Sequence, residues 1–280
     1  MFSSTQLKVL EKRLLMKFIS FAMDLDLEGD VFKSWEGRTD VELYKDNKLT
    51  EGLIELIRSS LVRTNKIESN AQEVLIQIKK FLKGVGVFGN LPFIFPVYGS
   101  GEFPQAFARF SAVFGSVYVL MMGVDDIKFN SEGLFESVTL SNKQVMTGKT
   151  CVISPNYQSV KFSRPLVKDI TVSHSVLILD RSIKHVENED KDDVSIMTFL
   201  PNQLSNRNTV TLYEFGPGSC VPAQNQYLVQ IQTRAGKDGT PVGDLKPFVE
   251  EILKISGARL LWAAYFSTQM KEGGVSTVIE

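Results

Sequence analysis

Apolar side chains recur at steps of three and four residues through the first ninety positions, and this period is the strongest constraint on the fold. The series runs through Leu7, Leu10, Leu14, Phe18, Phe21 and Leu25, then Leu53, Ile54, Ile57 and Leu61, then Val74, Leu75, Ile78, Phe81 and Leu82. Such spacing puts one apolar stripe on a helix and buries it against another. Ser3 with Gln6 and Asn70 with Glu73 have capping-box spacing, and Gly84 stands where a left-handed C-terminal cap is expected. Beyond residue 90 the period is lost. Short runs rich in β-branched and aromatic residues replace it: FIFPVY at Phe93 to Tyr98, then CVIS, VSHSVLILD, VSIMTFL, TVTLYEF, YLVQIQT and LLWAAYF, with one helix from Asp244 through Leu253 before the last. The switch predicts a small α-helical domain over 1–86 and a mixed α/β domain over 87–280.

Charge excludes some partners. Lys plus Arg total 31 against 32 for Asp plus Glu, a formal net charge of -1, so no uniform field attracts nucleic acid. The densest charge run, ENEDKDD from Glu187 to Asp193, joins two expected strands and reads as a solvated loop. The longest apolar runs fall well short of the roughly 18 to 20 residues that span a bilayer, and the amino end has no secretory-signal pattern. A cytosolic chain is expected, with Cys151 and Cys220 free and buried.

Catalytic chemistry has little to work with. Gly84, Gly86 and Gly89 spell GxGxxG, but a helix precedes them and an extended proline-containing run follows, the reverse of a dinucleotide site. Gly99 and Gly101 lead into a helix start, where Glu102 suits the positive helix end and opposes an anion. The two histidines, His174 and His185, belong to no ligand cluster, and His174 reads as a structural or surface residue. No cofactor or metal is expected, nor a self-sufficient enzyme.

A helix is expected from Phe103 to Met121, with Phe103, Phe107, Phe110, Phe114, Val117 and Met121 as its core stripe. At 3.6 residues per turn, Glu102, Arg109 and Ser116 share a second line roughly 120 degrees away, with Val119 almost opposite the stripe. That outer line is either solvated surface or a protein-binding face in which Arg109 offers a planar fork and Val119 an apolar contact.

The stretch Phe88 to Leu120, FGNLPFIFPVYGSGEFPQAFARFSAVFGSVYVL, resembles the most distinctive segment of the Rab GDP dissociation inhibitor and Rab escort protein superfamily. EKRLLMKFISF resembles the opening of that family's helical domain, and VSHSVLILDRSI, VSIMTFLP and RLLWAAYF resemble the escort branch in order. Inhibitors usually carry a more basic stretch where this chain has Leu14, Leu15 and Met16, so the resemblance favours the escort branch, component A of Rab geranylgeranyltransferase.

The resemblance implies a GDI-like fold: a sheet-containing domain related to FAD-binding oxidoreductases plus a small helical domain. It implies a non-catalytic protein that binds GDP-bound Rab GTPases, presents them to the geranylgeranyltransferase α/β heterodimer, shields the attached geranylgeranyl lipid and touches membranes transiently. The family's platform acid and arginine fall on Glu102 and Arg109, and its platform methionine on Val119. The effector loop falls on Phe88, Phe93, Phe95 and Tyr98, with Val87 where an arginine is usual. Phe18 or Phe21 corresponds to the transferase anchor, with Lys33 as its basic companion. The family's opening strand, glycine-rich turn and helix, and its closing segment, have no counterpart here; their loss is expected to leave unpaired strands and an uncovered apolar face. Open alternatives are an inhibitor, a fragment without a partner, and a flavin-dependent amine oxidase relative, which should carry the glycine fingerprint that this sequence lacks.

Overall fold

The computed structural model describes residues 8–63, 68–87, 89, 92–153, 169–184, 194–236, 239–271 and 277–279. The expectations for Ser3, Gln6, Leu7, Phe88, His185 and the 187–193 charge run lie outside them. The chain forms two compact units, one of Met1–Gly99 with Ser173–Ser267, the other of Ser100–Val172 with Thr268–Glu280.

The first unit opens with helices α1 (Val9–Asp24), α2 (Asp30–Lys33), α3 (Asp40–Asp46), α4 (Glu51–Ile57) and α5 (Ala71–Gly84), with a π-helical turn at Arg58–Val62 directly after α4. The apolar periods do what their spacing requires: Leu15, Phe18 and Ala22 of α1 meet Leu43 and Tyr44 of α3, Leu53 and Ile57 of α4, and Val74, Leu75 and Ile78 of α5 in one buried cluster. Asn70 Oδ1 accepts the N–H groups of Gln72 and Glu73 at 2.8 and 3.3 Å, satisfying donors that a helix start leaves open. Gly84 is not the left-handed cap. It is the last residue of α5, Val85 after it is extended, and the positive φ of 82° falls on Gly86. What favours glycine at position 84 is space, since a Cβ there would lie 3.1 Å from Pro92 Cβ.

Two helices escaped the periodicity. α2 spans four residues and α3 seven, too short for a repeat to register, although Thr39 and Glu42 form a reciprocal cap in which the Glu42 N–H donates to Thr39 Oγ1 and the Thr39 N–H to Glu42 Oε2. Asp40, fully buried, accepts from the Ser69 N–H at 3.0 Å and pairs with Arg58 Nη2 at 3.1 Å. That carboxylate therefore joins α3, the π turn and the approach to α5.

The rest of this unit is a five-stranded sheet in the order β6-β7-β8-β5-β9, from β5 (Asp169–Leu179), β6 (Val194–Phe199), β7 (Val210–Phe215), β8 (Tyr227–Arg234) and β9 (Leu260–Lys271), with α7 (Pro241–Ser256) before the last. All five strands fall on runs anticipated from the sequence. β6, β7 and β8 form an antiparallel meander with Leu212 opposite both Met197 and Ile231. Leu177, Leu179, Val210, Leu212, Val229 and Ile231 share a buried cluster with Leu245, Phe248, Val249 and Ile252 of α7. Pro at the first turn starts α7, and Gly257 at φ 64° ends it with an N–H donated to Leu253 O. The FIFPVY run is not a strand. Residues 93–98 are irregular and turn at Val97–Tyr98; Pro96 has no N–H to give a ladder, and Tyr98 takes a φ of 70°.

The second unit holds α6 (Glu102–Val113), a three-stranded antiparallel sheet of β1 (Val124–Phe129), β2 (Phe135–Leu140) and β3 (Val145–Thr147), and a two-stranded pair of β4 (Cys151–Ile153) with β10 (Thr277–Ile279). The expected helix to Met121 stops eight residues early, where Gly115 turns at φ 87° and Ser116 N–H bonds back to Ser111 O. Nor is its phenylalanine stripe core. No residue of α6 is buried, and Phe107 and Phe114 are 69% and 76% exposed. Heptad spacing fixes which side chains share a line; it does not supply what covers them. Both cysteines are free, but Cys220 is exposed and Cys151 only half-buried.

Two outcomes follow from these packings. Asp40→Ala, which leaves Arg58 without its carboxylate, should lower unfolding stability by about 3 to 5 kcal/mol in urea titrations followed by helix circular dichroism; Arg38→Ala, which breaks the exposed Arg38–Asp46 pair, should leave the midpoint nearly unchanged. The chain should also bind the dye ANS strongly through the exposed α6 stripe, and the double variant Phe107→Ser, Phe114→Ser should lose much of that fluorescence with helix content unchanged. Equal dye binding would place the exposed apolar surface elsewhere.

Candidate functional site

On α6, Glu102 opens the first turn, where the helix dipole favours its charge. Arg109 lies seven residues on, which is 20 degrees short of two full turns and about 10.5 Å along the axis. Both side chains are exposed. Among the described residues neither has a salt-bridge partner, so acid and guanidinium stand on one face with their polar groups unspent. Val119 does not share that helix. It sits half-exposed on the irregular segment after Gly115, which the Tyr118 hydroxyl ties back to Ser111 Oγ. The three residues named for the platform thus belong to two local structures of one unit.

The segment carrying Phe93, Phe95 and Tyr98 is built otherwise, because some of its side chains are packed and others exposed. Phe93 packs edge-on against Phe81 of α5 at 5.7 Å between ring centroids, Phe95 against Phe93 at 6.5 Å, and Phe95 against Phe215 of β7 at 5.8 Å. Edge-to-face geometry brings the positive rim of one ring to the negative face of the next. Ile94, Val97 and Tyr98 are exposed, Ile94 by 76%. The Tyr98 N–H donates to Ser219 O and the Gly99 N–H to Pro96 O, each at 3.1 Å. Beside the rings lies Arg63, a residue that sequence reasoning missed. Its guanidinium carbon is 5.0 Å from the Phe93 ring centroid and 5.5 Å from that of Tyr213, and its Nη2 donates to the Tyr213 hydroxyl. Arg63 and Tyr213 are 150 residues apart, beyond any local pattern.

Of the two phenylalanines considered as a protein anchor, Phe18 is only 1% exposed and meets Tyr44 edge-on at 6.1 Å. It is core and cannot protrude. Phe21 is half-buried against the same core, 6.5 Å from Phe18. Lys33 is exposed in the last turn of α2. The exposed apolar residues of α1 are instead Val9, Leu10, Met16 and Met23.

The remaining candidate for chemistry, His174, lies on β5 and stacks on Phe266 of β9 with centroids 5.1 Å apart and ring planes 13° apart. Partial burial pulls its pKa below the ordinary histidine value. That environment favours a neutral packing side chain.

The fold and these surfaces can be set beside known proteins. The chain is 31% identical over 278 residues to Rab proteins geranylgeranyltransferase component A 1 of Rattus norvegicus, covering 95% of this chain and 42% of that protein. It is 28% identical over 269 residues to Rab proteins geranylgeranyltransferase component A of Drosophila melanogaster, covering 95% and 51%. A guanosine nucleotide diphosphate dissociation inhibitor of Arabidopsis thaliana is 30% identical over 251 residues, covering 86% and 54%. The chain thus spans about half the length, or less, of these relatives. The crystal structure of a Rab GDI from Plasmodium falciparum superposes with a TM-score of 0.72 at 18% identity, covering 95% of this chain and 59% of that one, which establishes the GDI-like mixed α/β fold. The sequence profile of the GDP dissociation inhibitor family matches residues 1–262, and the chain belongs to that family.

Proposed function

We propose that this chain acts as a Rab escort protein, the non-catalytic component A of Rab geranylgeranyltransferase. It binds GDP-bound Rab GTPases, presents them to the transferase heterodimer, covers the geranylgeranyl lipid and releases the loaded Rab at a membrane. The observation that carries this reading is the pairing of Glu102 and Arg109 on one exposed line of α6, inside the sequence that resembles the family's Rab-binding platform. Similarity to component A proteins over 95% of the chain, against 86% for the Arabidopsis inhibitor, supports the escort branch. An inhibitor that retrieves prenylated Rab is the second reading, favoured by the comparable identity to that plant protein.

The chemistry is presentation. An exposed carboxylate and a guanidinium fork hold a partner's charged and carbonyl groups, while Val119 and the outward residues of the 93–98 segment supply apolar contact. Lipid shielding follows from burial, worth about 0.8 kcal/mol per covered CH₂. Among the described residues no helix is long and apolar enough to cross a membrane.

Arg109→Ala should weaken binding of GDP-loaded Rab at least about tenfold in titration calorimetry, with the melting temperature unchanged because the side chain is exposed. An unaltered affinity refutes the platform assignment. In the same preparation, Phe21→Ala should reduce association with the transferase while Rab affinity holds. Intact transferase binding moves the reading toward an inhibitor.

A further inference from the structure

Arg63 occupies a built environment that nothing in the platform reading uses. It follows the π-helical turn Arg58–Val62 and takes a left-handed conformation, φ 56° and ψ 43°. Single π turns recur at functional positions, and a non-glycine residue stays in this backbone region only where its surroundings hold it. The backbone is held as the cap of the π turn, with the Arg63 N–H donated to Arg58 O, and the exposed side chain reaches two rings and a hydroxyl. The guanidinium lies beside both Phe93 and Tyr213, and the Tyr213 hydroxyl, which accepts from Arg63, also accepts from Gln232 Nε2 at 3.4 Å. Just before the turn, Glu55 Oε1 accepts from Thr209 Oγ1 at 2.7 Å, so the loop preceding β7 is tied to α4 next to the arginine.

The 93–98 segment needs such support. It belongs to no sheet, so ring contacts, with the Tyr98 N–H bond to Ser219 O, do the work that a strand ladder does elsewhere. Release of Phe93 would free Ile94, Val97 and Tyr98 to take other directions, and ordering them at the moment of binding would cost entropy.

We propose that Arg63 is a positioning residue for partner binding: it clamps Phe93 beside Tyr213 and so holds residues 93–98 with Ile94, Val97 and Tyr98 turned outward as the apolar face presented to a GDP-bound Rab. This rests on the reading under Proposed function. It assigns the contact to those three residues and gives Phe93 and Phe95 the role of anchors. Lysine cannot replace the arginine, because a compact ammonium lacks the planar surface that lies along a ring and the fork that reaches a hydroxyl at the same time.

Amide hydrogen exchange on the 280-residue chain tests the clamp directly, comparing Arg63→Ala, Arg63→Lys and Tyr213→Phe with the parent. In both arginine variants a peptide covering residues 93–99 should exchange at least about tenfold faster, while the interior of α5 is unchanged. Tyr213→Phe keeps the ring, loses the hydrogen bond and should fall between. GDP-loaded Rab should associate more slowly with Arg63→Ala and Arg63→Lys, and Ile94→Asp should weaken binding with exchange unaltered. Unchanged exchange at 93–99 overturns the clamp, and faster exchange with unchanged Rab association overturns its role in binding. Arg109→Ala, run alongside, separates the two levels: if it has no effect the platform reading falls, whereas if it abolishes binding and Arg63→Ala does not, only the positioning role falls. Should Arg63→Ala unfold more easily, Tyr213→Phe carries the comparison with the core intact.

Discussion

The line of edge-to-face rings from Phe81 through Phe93 and Phe95 to Phe215 is the contact on which the first unit depends. That unit has two separate apolar cores, one among helices α1 to α5 and one between the sheet and α7. Each is closed by its own apolar pattern. What joins them is a segment without regular backbone pairing, together with the Arg63 clamp and the Glu55–Thr209 hydrogen bond. Side-chain contacts and the backbone hydrogen bond from Tyr98 N–H to Ser219 O together hold that segment.

Most of the regular structure was legible from the residues alone, for identifiable reasons. The β5 to β9 runs are rich in Val, Ile, Leu, Tyr and Phe and are bounded by turn residues, and α7 carries both its signals, Pro241 within and Gly257 beyond. β1 and β2, reading VDDIKF and FESVTL, fall on none of the anticipated runs, because charged residues interrupt their apolar alternation. FIFPVY has strand composition yet lies outside every sheet, since strand propensity reports fit to a half-buried pleated surface and not pairing itself. The α6 stripe is the sharper case. Its spacing of four and three continues past Gly115, so the sequence period outlasts the helix, and no period states whether an apolar line meets another element.

The candidate sites were legible to different depths. Glu102 and Arg109 share a line because seven residues make nearly two turns, which arithmetic alone provides. Phe18 and Phe21 look alike in sequence, and only packing separates the fully buried Phe18, against Tyr44, from the half-buried Phe21. Arg63 carried no signal at all: an arginine after an apolar helix reads as solvated until β7 brings Tyr213 to it. The unspent charged pair and the exposed apolar side chains accord with the proposed role of holding another protein for presentation.

That claim turns on nucleotide-dependent recognition of a Rab. The most direct measurement is a calorimetric titration of the 280-residue chain with one Rab loaded in turn with GDP and with a non-hydrolysable GTP analogue. A ligand distinguishes two states of its partner only by its difference in affinity for them. The account predicts saturable binding of the GDP form, at least about tenfold tighter than the analogue form. Equal affinity for both forms, or heat from neither in a chain with its helices and sheet intact by circular dichroism, would contradict it.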